Sequence, residues 1–140
     1  MNQEIKAQWV QALRSGEYEQ GKSALHIISG DGKHTYCCLG VLCELAVKAG
    51  VAEVISTEPK NYKFKDSLVP GDSLVRYGSR VDIERSGNWS ETAILPESVM
   101  RWAGLRDEHG WTMPNGDSLA CLNDAGVGFD VIADLIEVNL

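Results

Sequence analysis

Three of the chain's four cysteines fall in one run, Tyr36-Cys37-Cys38-Leu39-Gly40-Val41-Leu42-Cys43, close behind His34. Thiolates and imidazoles are zinc ligands, and His26 or Cys121 could complete a tetrahedral set. The spacing argues against that use. A zinc knuckle presents its cysteines two to four residues apart on a turn, whereas Cys38 and Cys43 on a helix point in different directions. A thiol nucleophile is the second possibility: in the first turn of a helix, Cys37 or Cys38 would have its pKa lowered by the helix dipole, with His34 as base. Neither an orienting carboxylate nor an oxyanion hole can be identified. The neighbours Leu39 and Val41 suit a third reading, in which the thiols are buried as small hydrophobes. On this basis no catalytic residue, metal or cofactor is assigned.

Binding chemistry has more candidates. Trp89 and Trp111 lie near turns, and Arg76, Arg80 and Arg85 are close in sequence. Tryptophan stacking with arginine clamps would suit a nucleotide-like small molecule. Lys60, Lys63 and Lys65 alternate with Asn61, Tyr62 and Phe64, a short basic and aromatic patch of the kind that meets phosphate or single-stranded nucleic acid, but flanked by acids and read instead as a solvated edge strand. Gly126-Val127-Gly128 leads into the last helix with backbone amides free for an anion, although Asp124 and Asp130 flank it with the wrong charge.

The net charge of −7 is unevenly placed. Residues 91–140 hold nine acids against Arg101 and Arg106, while the rest of the chain is balanced. Direct nucleic-acid binding is therefore disfavoured, since phosphates demand lysine and arginine on the contacting face. Asp124, Asp130, Asp134 and Glu137 would instead form an acidic face that docks on a basic partner.

These residues must be carried by a scaffold, and its elements are partly legible. Asn2 can cap a first helix whose Ile5, Trp9 and Leu13 form one stripe, stopped at Gly16. Ser23 to Ser29 alternates as a strand, and Gly30-Asp31-Gly32-Lys33 turns it back through Thr35-Tyr36. The cysteine run becomes a central helix ending at Gly50, with Glu44 and Lys48 as its solvent-seeking residues. Residues 52–72 lack a clear period and read as a loop or insertion. Strands are predicted at 74–77, 80–85 and 89–94, then a helix with Pro96 at its first position and Gly104 at its end. A short strand at 111–113, a brief helix from Ser118 through Leu122 and a last helix with Phe129, Ile132, Ala133 and Ile136 inward complete the chain. Short hairpins packed with about four helices in a single domain, residues 1–140, define an α+β class.

Hydrophobic residues make up 44 % and charged residues 24 % of the 140-residue chain, a globular balance. No signal peptide or membrane span is evident, and adjacent cysteines make a poor disulfide framework. A cytoplasmic protein with reduced thiols is expected.

The cysteine run, Trp102-Ala103-Gly104-Leu105, Leu119-Ala120-Cys121-Leu122-Asn123-Asp124 and Phe129 to Glu137 together resemble a family of small, mostly uncharacterised bacteriophage and prophage proteins. The resemblance spans the N-terminal half and the C-terminal third, not residues 52–90. It implies a phage accessory gene, possible counter-defence included, acting in the host cytoplasm, and carries no catalytic residue over. The family tends to have serine before the last helix where this chain has Gly128.

Overall fold

A computed structural model describes residues 1–59, 71–80, 82 and 92–140. Helix α1, Gln3–Arg14, opens as its sequence demands: the Asn2 carboxamide accepts from the amides of Glu4 and Ile5, relieving donors that the first turn leaves unpaired. Its stripe of Ile5, Trp9, Val10 and Leu13 is buried. Strands β1, His26–Ile28, and β2, His34–Tyr36, form the predicted hairpin, with His26 opposite Tyr36 and Ile28 opposite His34. Helix α2, Cys38–Lys48, follows at once. Strands β3, Glu53–Pro59, and β4, Ser73–Gly78, come next. Helices α3, Glu97–Ala103, α4, Leu119–Asp124, and α5, Phe129–Asn139, complete the described chain.

The four strands form one antiparallel sheet in the order β2-β1-β4-β3. Helices precede, interrupt and follow the strands in the sequence without regular βαβ alternation, so the fold is α+β, as predicted. Helix α2 is the hub and touches α1, α3, α4 and the sheet. Cys38, Leu39, Val41, Leu42, Cys43 and Ala46 are all buried on it, in one continuous apolar cluster with Trp9, Val99, Leu119, Ile132 and Ile136. Trp9 crosses to this helix and donates its indole N–H to the carbonyl of Cys38 at 2.9 Å, which satisfies the one polar atom of a fully buried ring.

Several boundaries differ from the sequence reading. Residues 53–59, taken as part of a loop, are the edge strand β3, paired along β4 with a register shift between Val54 and Ser56. That irregularity and one solvated face blur the period-two signal; residues 60–70 lie outside the described ones. The strand expected at 80–85 is replaced at Arg80 and Asp82 by helical backbone. Here Ser79 and Asp82 make one half of a capping box, in which the Asp82 carboxylate accepts from the Ser79 amide at 2.6 Å, and from its hydroxyl at 3.0 Å. The other residues of that span, and 89–91, lie outside the described ones. Thr92, Ala93 and Ile94 form a turn in place of the strand predicted there, with the Thr92 carbonyl accepting from the Leu25 amide at 2.7 Å. Pro96 precedes α3 as its N-cap. The strand predicted at 111–113 amounts to a single bridge, Thr112 with Ser118.

Candidate functional site

The cysteine run is where chemistry was first sought, and burial decides its character. Cys37 is the N-cap of α2, and Cys37, Cys38 and Cys43 are buried. Burial pushes the Cys37 thiol up to about 11, outweighing the amides of Gly40 and Leu39 that pull it down. It pushes Cys38 and Cys43 well above the ordinary thiol range. The expected lowering by the helix dipole is therefore overruled, and these groups are thiols rather than thiolates at neutral pH. Among the described residues, no three His, Cys, Asp or Glu side chains gather as metal ligands would. An aromatic disulfide reagent should accordingly label one thiol of the native protein, the exposed Cys121, and all four in denaturant. A second native thiol reacting as fast as Cys121 would contradict this burial.

A different constellation lies beside the run. His26 is buried on β1, diagonal to His34 across the hairpin. Its Nε2 lies 2.7 Å from Nδ1 of His34, and its Nδ1 lies 2.6 Å from the hydroxyl of Tyr77. Tyr77, buried on β4, donates that hydroxyl to Oε1 of Glu44 on α2. Tyr36 stacks on the His26 ring at 4.2 Å and 24°, and Tyr18 meets Tyr36 edge-on at 5.2 Å. Lys48 in turn lies 3.0 Å from the Tyr18 hydroxyl. One line of hydrogen bonds thus leads from the exposed His34 through His26 and Tyr77 to Glu44.

The electrostatics of the line follow from its burial. Desolvation, helped by the neighbouring His34, lowers the His26 pKa to about 4, so the ring is neutral at neutral pH. Burial and the bond to Glu44 hold the Tyr77 phenol far above its ordinary pKa. Because the Tyr77 proton is committed to Glu44, its oxygen must accept from His26, which places the His26 proton on Nδ1. His26 Nε2 is then bare and must accept from Nδ1–H of His34.

This arrangement also predicts a pH dependence. The unfolded chain binds a proton at His26 near the ordinary pKa of 6.5 and the folded chain only near 4, so between those values the unfolded state holds more protons. Stability should be complete above pH 6.5 and fall toward pH 4, by roughly 2–3 kcal/mol from this residue. Urea unfolding across that window should show the slope for the native chain and lose it in His26→Gln; an equal slope in both would assign it elsewhere.

The residues proposed from sequence are placed as follows. Trp89 and Arg85 lie outside the described residues. Arg76 is half-buried on β4, and Arg80 is exposed just beyond it. Trp111 is half-buried against the core between α3 and α4, and among the described residues it makes no ring contact or hydrogen bond with either arginine. Asp124 is exposed, but its carboxylate accepts from the Ser23 amide at 2.9 Å. Asp134 and Glu137 meet Arg14 of α1 at 2.5 and 2.7 Å in exposed pairs. Asp130 is exposed in the first turn of α5. Along the same helix Val131 and Val138 are exposed, to 52 % and 82 %. An open groove of about 650 Å³ runs along α1, lined by Val10 and Arg14 and closed at one side by Glu137 of α5.

The relay was missed because its four members come from three strands and a helix. Its nearest signal was the hairpin, whose turn at 30–33 sets His26 diagonal to His34. Glu44, read as solvent-seeking, instead bonds to Tyr77 and keeps its side chain only 21 % exposed.

Fold and site together define a small α+β protein with a polar relay between sheet and hub helix and an acidic helix on its flank. Over residues 1–140 the chain matches the model of a family described as a domain of unknown function, DUF8296. It belongs to that family. No match is found among curated proteins or among solved structures. No helix among the described residues is long and apolar enough to cross a membrane.

Proposed function

We propose that this chain is a phage or prophage accessory protein that acts in the host cytoplasm by binding a basic host protein through α5 and the adjoining edge of α1. The observation that carries this reading is the outer face of α5. Val131 and Val138 stand seven residues apart, so they share a face two turns apart along the helix, and they are exposed among Asp130, Asp134 and Glu137. Solvated valines flanked along one side by three acids suit a partner that offers an apolar anchor beside a basic surface. The net charge of −7, carried by the C-terminal third, would speed and orient that encounter.

Arg14 gives the proposal a sign test. Its guanidinium covers Asp134 and Glu137, so Arg14→Gln uncovers negative charge on the docking face. Co-purification from host cells should yield a complex that weakens with salt, strengthens in Arg14→Gln and is lost in Val131→Lys/Val138→Lys with the melting temperature unchanged. A complex that survives the double substitution would overturn this assignment of the face. The alternative of a nucleotide-like ligand held by Trp111 with Arg76 and Arg80 is not favoured by any contact among the described residues.

A further inference from the structure

Beyond docking, the relay has a direction. With the tautomers that the Tyr77–Glu44 bond requires, every hydrogen bond in it donates the same way: His34 Nδ1–H to His26 Nε2, His26 Nδ1–H to Tyr77, and the Tyr77 hydroxyl to Glu44. Glu44, the terminal acceptor, sets that direction for any such chain; what a cluster serving only to satisfy buried atoms would not need is an exposed end. This line has one, because His34 is exposed and its Nε2 has no hydrogen-bond partner among the described residues. The inner ring is shielded, with Tyr36 stacked over His26 and Tyr18 and Lys48 beyond it.

We infer that His34 Nε2 is a general base, positioned by the His26–Tyr77–Glu44 line, for a substrate that gives up an oxygen-bound proton, a hydroxyl or a bound water. The step balances along the line. The substrate O–H bond breaks, its electron pair stays on oxygen, and the proton forms a new N–H bond at His34 Nε2. His34 Nδ1–H passes to His26 Nε2, His26 Nδ1–H to the Tyr77 oxygen, and the Tyr77 proton to Oε1 of Glu44. The Glu44 side chain is one-fifth exposed, at 21 %, so the proton can leave to water from there. Among the described residues, the charged and titratable groups around the line are Glu44 from α2, Tyr77 from β4, His34 and Tyr36 from β2, and Cys43 of α2, a buried neutral thiol. His26 stays neutral between its two partners, which is what passing a proton rather than storing one requires.

Two measurements on the full chain test this. Imidazole nitrogen NMR of the native protein above pH 6.5 should show both His26 and His34 protonated at Nδ1, the less common tautomer of free histidine. Hydrolysis of p-nitrophenyl acetate, used as an electrophile for activated water, should be accelerated by the native chain and by His109→Ala. That acceleration should be absent in His34→Ala. Tyr77→Phe should scramble the tautomers and lower the rate by roughly tenfold, as loss of an orienting partner does. Glu44→Gln can still accept the Tyr77 bond but takes up the relayed proton poorly, so it should keep the tautomers and still lose the rate. Protonation of His34 at Nε2 in the native chain, or Tyr77→Phe and Glu44→Gln variants that melt lower yet hydrolyse at the native rate, would reduce the line to a structural network and overturn the inference.

Discussion

Replacing Gly40 by alanine should destabilise this fold by about 4 kcal/mol or more, although a helix-interior glycine is normally improved by alanine by roughly 0.5–1 kcal/mol. The reason is the packing of α2 on the chain entering β1. A Cβ at position 40 would stand 1.7 Å from the carbonyl oxygen of Leu25 and 2.6 Å from its carbon. Both are backbone atoms, so no side chain can rotate away. The same carbonyl accepts from the Cys37 amide at 3.2 Å, and pushing α2 outward would break that bond and open the core around Leu39 and Leu42. Overpacking alone costs about 1–3 kcal/mol, and losses above about 4 kcal/mol are those with a named steric or polar cause such as this one. Thermal unfolding should show a fall of about 10–15 °C. Gly128 supplies the contrast: nothing lies within 4 Å of a Cβ there, and it caps α5 without a side-chain bond. Gly128→Ser should leave stability unchanged or raise it by a few tenths of a kcal/mol. If Gly40→Ala melts within a few degrees of the native chain, the close approach of α2 to Leu25 is wrong.

How far the sequence reaches is shown by which interactions are local. The stripe of α1 and its Asn2 cap, the hairpin turn and the inward face of α5 are all set within one or two turns of chain, and all are legible. Edge strand β3 is not, because its pattern is broken by a register shift and its partner β4 lies beyond residues 60–70. The half capping box of Ser79 and Asp82 is legible in principle, yet the alternation of Arg80 to Arg85 reads more readily as strand. The site is harder still. Nothing near Glu44 in sequence distinguishes it from a solvated helix glutamate, and only the β4 register brings the Tyr77 hydroxyl to it. The cysteine run is the converse case: residue types rich in possible chemistry read, beside Leu39 and Val41, as small hydrophobes, and they are core.

That run and the Leu119 to Asp124 block, both part of the family resemblance, pack together in the core and are tied by the Asn123 side chain, and Asn123→Leu should cost about 3–5 kcal/mol. Helix α2 begins at Cys37, which offers no side-chain cap, leaving first-turn amides to be satisfied from elsewhere. Asn123, fully buried on α4, supplies the acceptor: its Oδ1 takes the Cys38 amide at 3.2 Å and the Gln20 carboxamide at 2.9 Å. Its Nδ2 donates to the Gly21 carbonyl at 2.8 Å. The cap thus comes from 85 residues away in sequence, which is why no local rule finds it. Leucine keeps the branching and is larger, so the loss would come not from a cavity but from the stranded partners, at about 1–3 kcal/mol for each buried group left unpaired, with overpacking adding to it. Gln20 retains its second bond, to the Val127 carbonyl at 2.7 Å, so the Cys38 amide and Gly21 carbonyl dominate. Urea unfolding measures the total, and amide exchange locates it: the Cys38 amide should lose protection before the middle of α2. A loss below about 1 kcal/mol, with Cys38 still protected, would mean that water or another group replaces the Asn123 cap. The family's cysteine run and its Asn-Asp block would then be independent parts of the core rather than a helix and the cap that starts it.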